Sequence, residues 1–125
     1  MITGIDTGLS QEYVSKFDNS EPKTKWRIGV LSAHAFAYVG SKIADSTKSL
    51  DGMIEVVRFG LKGFDNFKDK DGNDVKFITQ AKDVHSITHH IVSDNLINLI
   101  PIDIIIELGG KILEITKLTE QEIKN

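Results

Sequence analysis

Histidine is the residue type in this chain whose spacing comes closest to chemistry. His85, His89 and His90 fall close together, and in a helix His85 and His89 would share one face at the spacing that zinc-binding pairs use. The metalloprotease signature fails at Ser86, where the general-base glutamate would have to stand. A further ligand would have to come from Asp83, Asp94 or His34 through folding. No metal is therefore expected, with His85 and His89 kept as weak candidate ligands and surface or half-buried histidines as the favoured account. Asp69-Lys70-Asp71-Gly72-Asn73-Asp74 places oxygens at alternate positions, as calcium loops do, but in the wrong register. Counting Asp69 as the first position puts Gly72 fourth, where the loop needs it sixth, and puts Gln80 where the bidentate glutamate belongs. A tight turn built on Gly72 accounts for the segment better.

Asp103 and Glu107 stand one helical turn apart and could share a proton, although solvated helix charges are the commoner explanation. Ser32 lies near His34 without the Gly-x-Ser-x-Gly elbow of a serine nucleophile. Phosphate loops and dinucleotide fingerprints are absent, and with no cysteine, thiol catalysis and thiolate metal sites are excluded. These residues predict a protein that is not an enzyme and takes no cofactor.

The elements that must position any site follow from length and pattern. At 125 residues one domain is expected. The formal charge of −3 gives no general attraction to nucleic acid or anionic lipid, and a basic patch from Lys16, Lys23, Lys25 and Arg27 reads as a solvated face. The opening Met1–Asp6 lacks the pattern of a secretory signal. The longest apolar stretch, Leu96–Ile106, is interrupted by Asn98, Pro101 and Asp103 and falls short of the roughly 20 residues that span a bilayer. A soluble, cytoplasmic protein is expected, with no nucleic acid or membrane as partner.

Residues 1–24 mix glycine, serine and charge without a sustained period and read as an arm or irregular lead-in, with room for a short helical turn after Ser10; residues 25–125 form the single domain. A strand is expected over Trp26–Leu31 and a helix over Ala33–Ala44 behind the Ser32 cap. A second helix should follow Asp51 through Leu61. Phe64, Phe67 and the Lys70–Asn73 turn suggest a small hairpin returning through Val75–Ile78. Lys82–Val92 fits either helix or extended chain. A short helix capped by Ser93 or Asp94 should precede an amphipathic helix over Ile102–Thr116, where Gly109 and Gly110 suggest close helix approach, and Thr119–Glu122 should cap a short final helix. The expected fold class is mainly α: a small helical domain with a minor β-hairpin or short strands, α+β being the alternative.

Three segments carry a resemblance. Val57-Arg58-Phe59-Gly60-Leu61-Lys62-Gly63-Phe64-Asp65-Asn66-Phe67-Lys68-Asp69, followed by Gly72-Asn73-Asp74-Val75-Lys76-Phe77, resembles a block in small proteins encoded among the tail genes of tailed bacteriophages. The ending through Leu99-Ile100-Pro101, Glu107-Leu108-Gly109 and Leu118–Asn125 is similar to the close of the same proteins, as is Ser15–Asp18 with Pro22–Trp26 to their beginning. Phe64 stands where those proteins carry tryptophan. The resemblance implies a tail assembly chaperone that holds tape measure or tail tube subunits in the host cytoplasm, with self-association left open. A virion structural part, such as a head-to-tail adaptor or completion protein, and a phage inhibitor of a host protein are the alternatives. An assembly factor needs an exposed apolar surface with a polar rim, and Phe59, Phe64, Phe67 and Phe77, with Trp26, are the candidate protein-binding residues; a satellite core around the turn explains them equally well.

Overall fold

The structure, a computed structural model, describes residues 4–124, with side chains described as far as Lys117. The chain runs β1 (Gln11–Val14), β2 (Lys25–Ile28), α1 (Ala33–Ala44), α2 (Ser49–Gly60), β3 (Leu61–Asp65), β4 (Thr79–Val84), β5 (Ile87–Val92), α3 (Asp94–Ile97) and α4 (Ile102–Lys124). Strands β1, β2 and β3 make one antiparallel sheet with β2 central, and β4 with β5 makes a separate hairpin.

The expectation of a mainly helical fold is overturned: among the described residues two antiparallel sheets with five strands stand beside the helices, and the protein is α+β. The strands are short and mostly polar, so they carry little alternation to announce them. β1 lies where a helical turn was expected, and β3 begins at Leu61, which the helical period had assigned to the end of α2. The hairpin lies elsewhere too: Lys70–Asn73 does turn, with Gly72 at φ +81°, but its flanks share only the single bridge Lys68–Asp74, and Val75–Ile78 is not a strand. The true hairpin turns at His85-Ser86, both with positive φ (53° and 63°), the primed-turn geometry that matches strand twist and ordinarily selects Asn-Gly.

The helices agree better. α1 begins where Ser32 Oγ accepts from Ala35 N (3.3 Å) and ends at Ala44, and α3 is capped by Ser93 in the same way. α4 is one continuous helix, so Thr119–Glu122 lie inside it, their side chains outside the described set. α1 pairs with α2, α2 crosses α4, and β5 lies against α2. Ile28, Val39, Val56, Val57, Leu108 and Ile112, from β2 and three helices, are fully buried in one core. A Cβ on Gly109 would stand 2.8 Å from Met53 Cε, which makes that glycine the point of close approach between α2 and α4; Gly110 faces open space. Thr116, buried in the same core, gives its proton to Ile112 O (2.8 Å) and accepts from Leu31 N (3.0 Å), so no polar atom of its side chain is left unpaired.

Candidate functional site

Trp26 on β2 and Phe64 on β3 are directly opposed in register, and their rings meet edge to face at 5.7 Å. Phe67 closes on Trp26 (5.1 Å) and Phe64 (5.2 Å), and Phe77 on Phe64 (5.6 Å). Phe59 stands apart, against Tyr38 and His89. Of the five aromatics singled out in the sequence, Trp26, Phe59 and Phe64 are buried, and Phe67 and Phe77 are half-buried against the core. The cluster is chiefly interior, leaving Phe67 and Phe77 edges toward solvent.

Two of these rings nevertheless line a groove. Trp26 and Phe67 line it with Pro101 and Ile104, around the start of α4, and with Phe17, enclosing about 220 Å³; the buried Ser15 and the half-buried Asp18 and Thr24 complete the lining. Phe17 is 61% exposed, its ring capped on one side by Lys16 Nζ at 5.5 Å. The loop that carries it is fixed from both ends. Asp18 accepts from Ser20 N (2.8 Å), Ser20 Oγ (2.5 Å) and Thr24 N (2.8 Å), and these bonds hold its carboxyl below the usual range. Thr24 Oγ1 in turn donates to Asn66 O beyond β3 (2.8 Å). An apolar groove on so well-tied a backbone can receive an apolar side chain without first having to order itself.

Glu107 provides the other tie. Its carboxylate accepts from Tyr13 Oη (2.6 Å), Ser15 Oγ (2.5 Å) and Lys16 N (3.1 Å), so the exit of β1 is bonded to α4 across more than 90 residues of chain. Desolvation pushes the Glu107 pKa up, but the three donors outweigh it and the net shift is downward. The bond to Glu107, with burial and the carboxylate's charge, pushes the Tyr13 phenol up to about 12. The carboxylate pair suggested by sequence does not form a working unit: Asp103 is exposed, and Glu107 is spent on β1. Phe17 and Glu107 are the site residues whose roles sequence reasoning missed. An isolated aromatic in a polar run was a signal for Phe17; nothing local signals Glu107.

The histidines gather elsewhere. His34, near the start of α1, meets His85 at the hairpin tip with ring centroids 5.0 Å apart and the rings tilted by 40°. His89 on β5 sets its ring edge-on to Phe59 (5.4 Å), with Nδ1 3.1 Å from Ile87 O and Nε2 3.4 Å from Ser32 Oγ. That last separation is long for a hydrogen bond, and Ser32 is already the helix cap, so the pair does not have the geometry of an activated nucleophile. His85 and His89 sit on a turn and a strand, not one helical face, and among the described residues no three His, Cys, Asp or Glu converge to hold a metal ion. The Asp69 carboxylate that sequence had weighed as a calcium ligand instead accepts from the Asp71 and Asn73 amides of its own turn (2.9 and 3.0 Å).

Among the described residues no helix is long and apolar enough to cross a membrane. No family model matches the chain, and neither the curated proteins nor the solved structures include a match.

Proposed function

We propose that this protein is a non-enzymatic assembly factor of tailed-phage particles, a tail assembly chaperone that binds tape measure or tail tube subunits in the host cytoplasm before they polymerise. The resemblance of residues 57–77 and of the closing segment to phage tail-cluster proteins supplies the setting. The observation that carries the contact mode is Phe17, an aromatic ring 61% exposed at the mouth of an apolar groove whose rim is polar. Large aromatics in such positions act as anchors, because burying one on contact removes a large apolar area from water at little conformational cost. A groove of this size covers a short apolar strip and no more, which suits a hold that must later be released.

Co-expression with the neighbouring tail gene products followed by size-exclusion chromatography tests the proposal. Wild-type protein should co-elute with one of them, and Phe17→Ser should weaken that complex about tenfold or more, the range of an interface anchor, while the protein's own stability changes by no more than about 0.5 kcal/mol. Failure to co-elute with any tail product overturns the proposal. Mass spectrometry of purified particles should find the chain absent; a fixed copy number there would replace the chaperone reading with that of a virion structural part.

A further inference from the structure

The second cavity, between the start of α1 and the β4–β5 hairpin, encloses about 450 Å³, within the range that small-molecule sites occupy. Its lining is chemically one-sided. His34, His89, His90 and Lys62 face it, and no Asp or Glu does, in a chain where acidic residues outnumber Lys and Arg by 18 to 15. The fourth histidine, His85, lies beside His34 with ring centroids 5.0 Å apart, so the histidines of the chain gather around this cavity. The remaining walls include Leu31 and Phe59, both buried, and the exposed Ile87.

Lys62 is the decisive group. Its stem lies over Gly29, where an added Cβ would stand 2.9 Å from Lys62 Cε. Its Nζ donates only to Phe59 O, at 3.3 Å, and no carboxylate among the described residues pairs with it. Although the side chain as a whole remains exposed, partial burial of the ammonium end lowers its pKa, with no opposing carboxylate to raise it. A cation partly withdrawn from water and without a counter-charge is stabilised when an anion arrives.

We propose that this cavity binds a small organic molecule bearing an oxyanion, phosphate or carboxylate, with the oxyanion against Lys62 and the histidines and the apolar body against Leu31, Phe59 and Ile87. The site is separate from the groove beneath Phe17 and does not rest on the assembly role. Phenyl phosphate, benzoate and phenol, titrated into the full chain at fixed ionic strength and followed by amide chemical shifts, test it. Phenyl phosphate, benzoate or both should saturate, with shifts confined to residues 32–35, 62 and 87–90, and phenol should bind at least about tenfold more weakly, as expected when one charge-assisted contact is lost. Which of the two anions binds identifies the oxyanion. Lys62→Met, which keeps the stem over Gly29, should weaken the anion about tenfold, and Lys62→Arg should restore it. Phenol binding as well as the anions, no saturable shift from any probe, or unchanged anion affinity in Lys62→Met would each overturn the proposal.

Discussion

α4 is held on its two sides by different chemistry. On one side Ile105, Leu108 and Ile112 are buried, and α4 crosses α2 so closely that a Cβ on Gly60 would lie 2.6 Å from Ile112 Cγ2. On the other, β1 is held by bonds that converge on the Glu107 carboxylate. Packing of the first kind depends on shape and is indifferent to pH, whereas the second adds to the pairing of β1 with β2 a set of bonds that depend on one ionised group. The groove beneath Phe17 opens on the bonded side, so the surface proposed to meet a client is shaped by directed polar bonds beside the core and not by the packing of α2 on α4.

The largest effect should come from emptying the packed side. Ile112→Ala should cost about 2–5 kcal/mol, the lost transfer of a fully buried side chain plus the cavity it leaves, read as a denaturant midpoint lowered together for every probe. A loss seen only at β1 would show that the two sides are not distinct. Gly60→Ala should follow at about 1–3 kcal/mol, since the new methyl meets a β-branched side chain with little freedom to move aside. Refolding with an unchanged midpoint would mean that the contact between α2 and α4 is looser than the distances indicate.

That packed side is also where the sequence was most legible. The spacing of Ile105, Gly109, Ile112 and Thr116 placed them on one face, and Gly109 marked the close approach that Met53 fills. The Ser32 cap and alanine-rich span fixed α1 to its ends. The bonded side was not legible, because Tyr13 and Ser15 find Glu107 only through tertiary folding and no local pattern encodes a pairing at that separation. β4 and β5 were only half legible, since Lys82–Val92 fitted extended chain as well as helix: their turn is made by His85 and Ser86, which take the left-handed conformation without the glycine or asparagine that announces it. The aromatic candidates were found as a group, but hydrophobicity alone does not tell a buried ring from an exposed one, so the cluster was recognised and its facing was not. The groove drew two of its residues, Trp26 and Phe67, from that list and took Phe17, Pro101 and Ile104 from outside it.

Glu107→Gln tests the bonded side. Loss of the charge weakens three hydrogen bonds, and of their donors Tyr13 and Lys16 keep access to water while Ser15 is buried, so about 1–2 kcal/mol is expected, with faster amide exchange confined to residues 11–17. The pH dependence has a definite sign on each limb. Glu107 titrates lower folded than unfolded, so its contribution is complete above the ordinary carboxylate range and disappears as pH falls through the folded value. Tyr13 titrates higher folded, at about 12 against an ordinary 10.0, so its contribution is present below pH 10 and is lost as pH rises toward 12. Glu107→Gln should remove this pair's share of the acid limb. An acid limb that survives the substitution unchanged would assign acid sensitivity to other carboxylates, Asp18 first among them.

The smallest effect on stability, and the sharpest test of the difference between the two sides, is expected at Phe17. Most of its ring is in water, and the Lys16 ammonium above it at 5.5 Å contributes about 0.5 kcal/mol, as exposed cation–π pairs do. The bond from its own amide to Ser15 Oγ (3.1 Å) belongs to the backbone and survives substitution. Phe17→Ser should therefore change stability by no more than about 0.5 kcal/mol, the range of surface substitutions, measured by urea denaturation at neutral pH. Combined with Glu107→Gln it should add no further loss, because a ring that holds nothing in place has nothing to surrender when its loop is released. A loss of 2 kcal/mol or more, about what a buried ring would cost, would instead make Phe17 a clasp that closes the N-terminal segment over Trp26 and Ile104, and a residue used up in that way is not free to anchor a client.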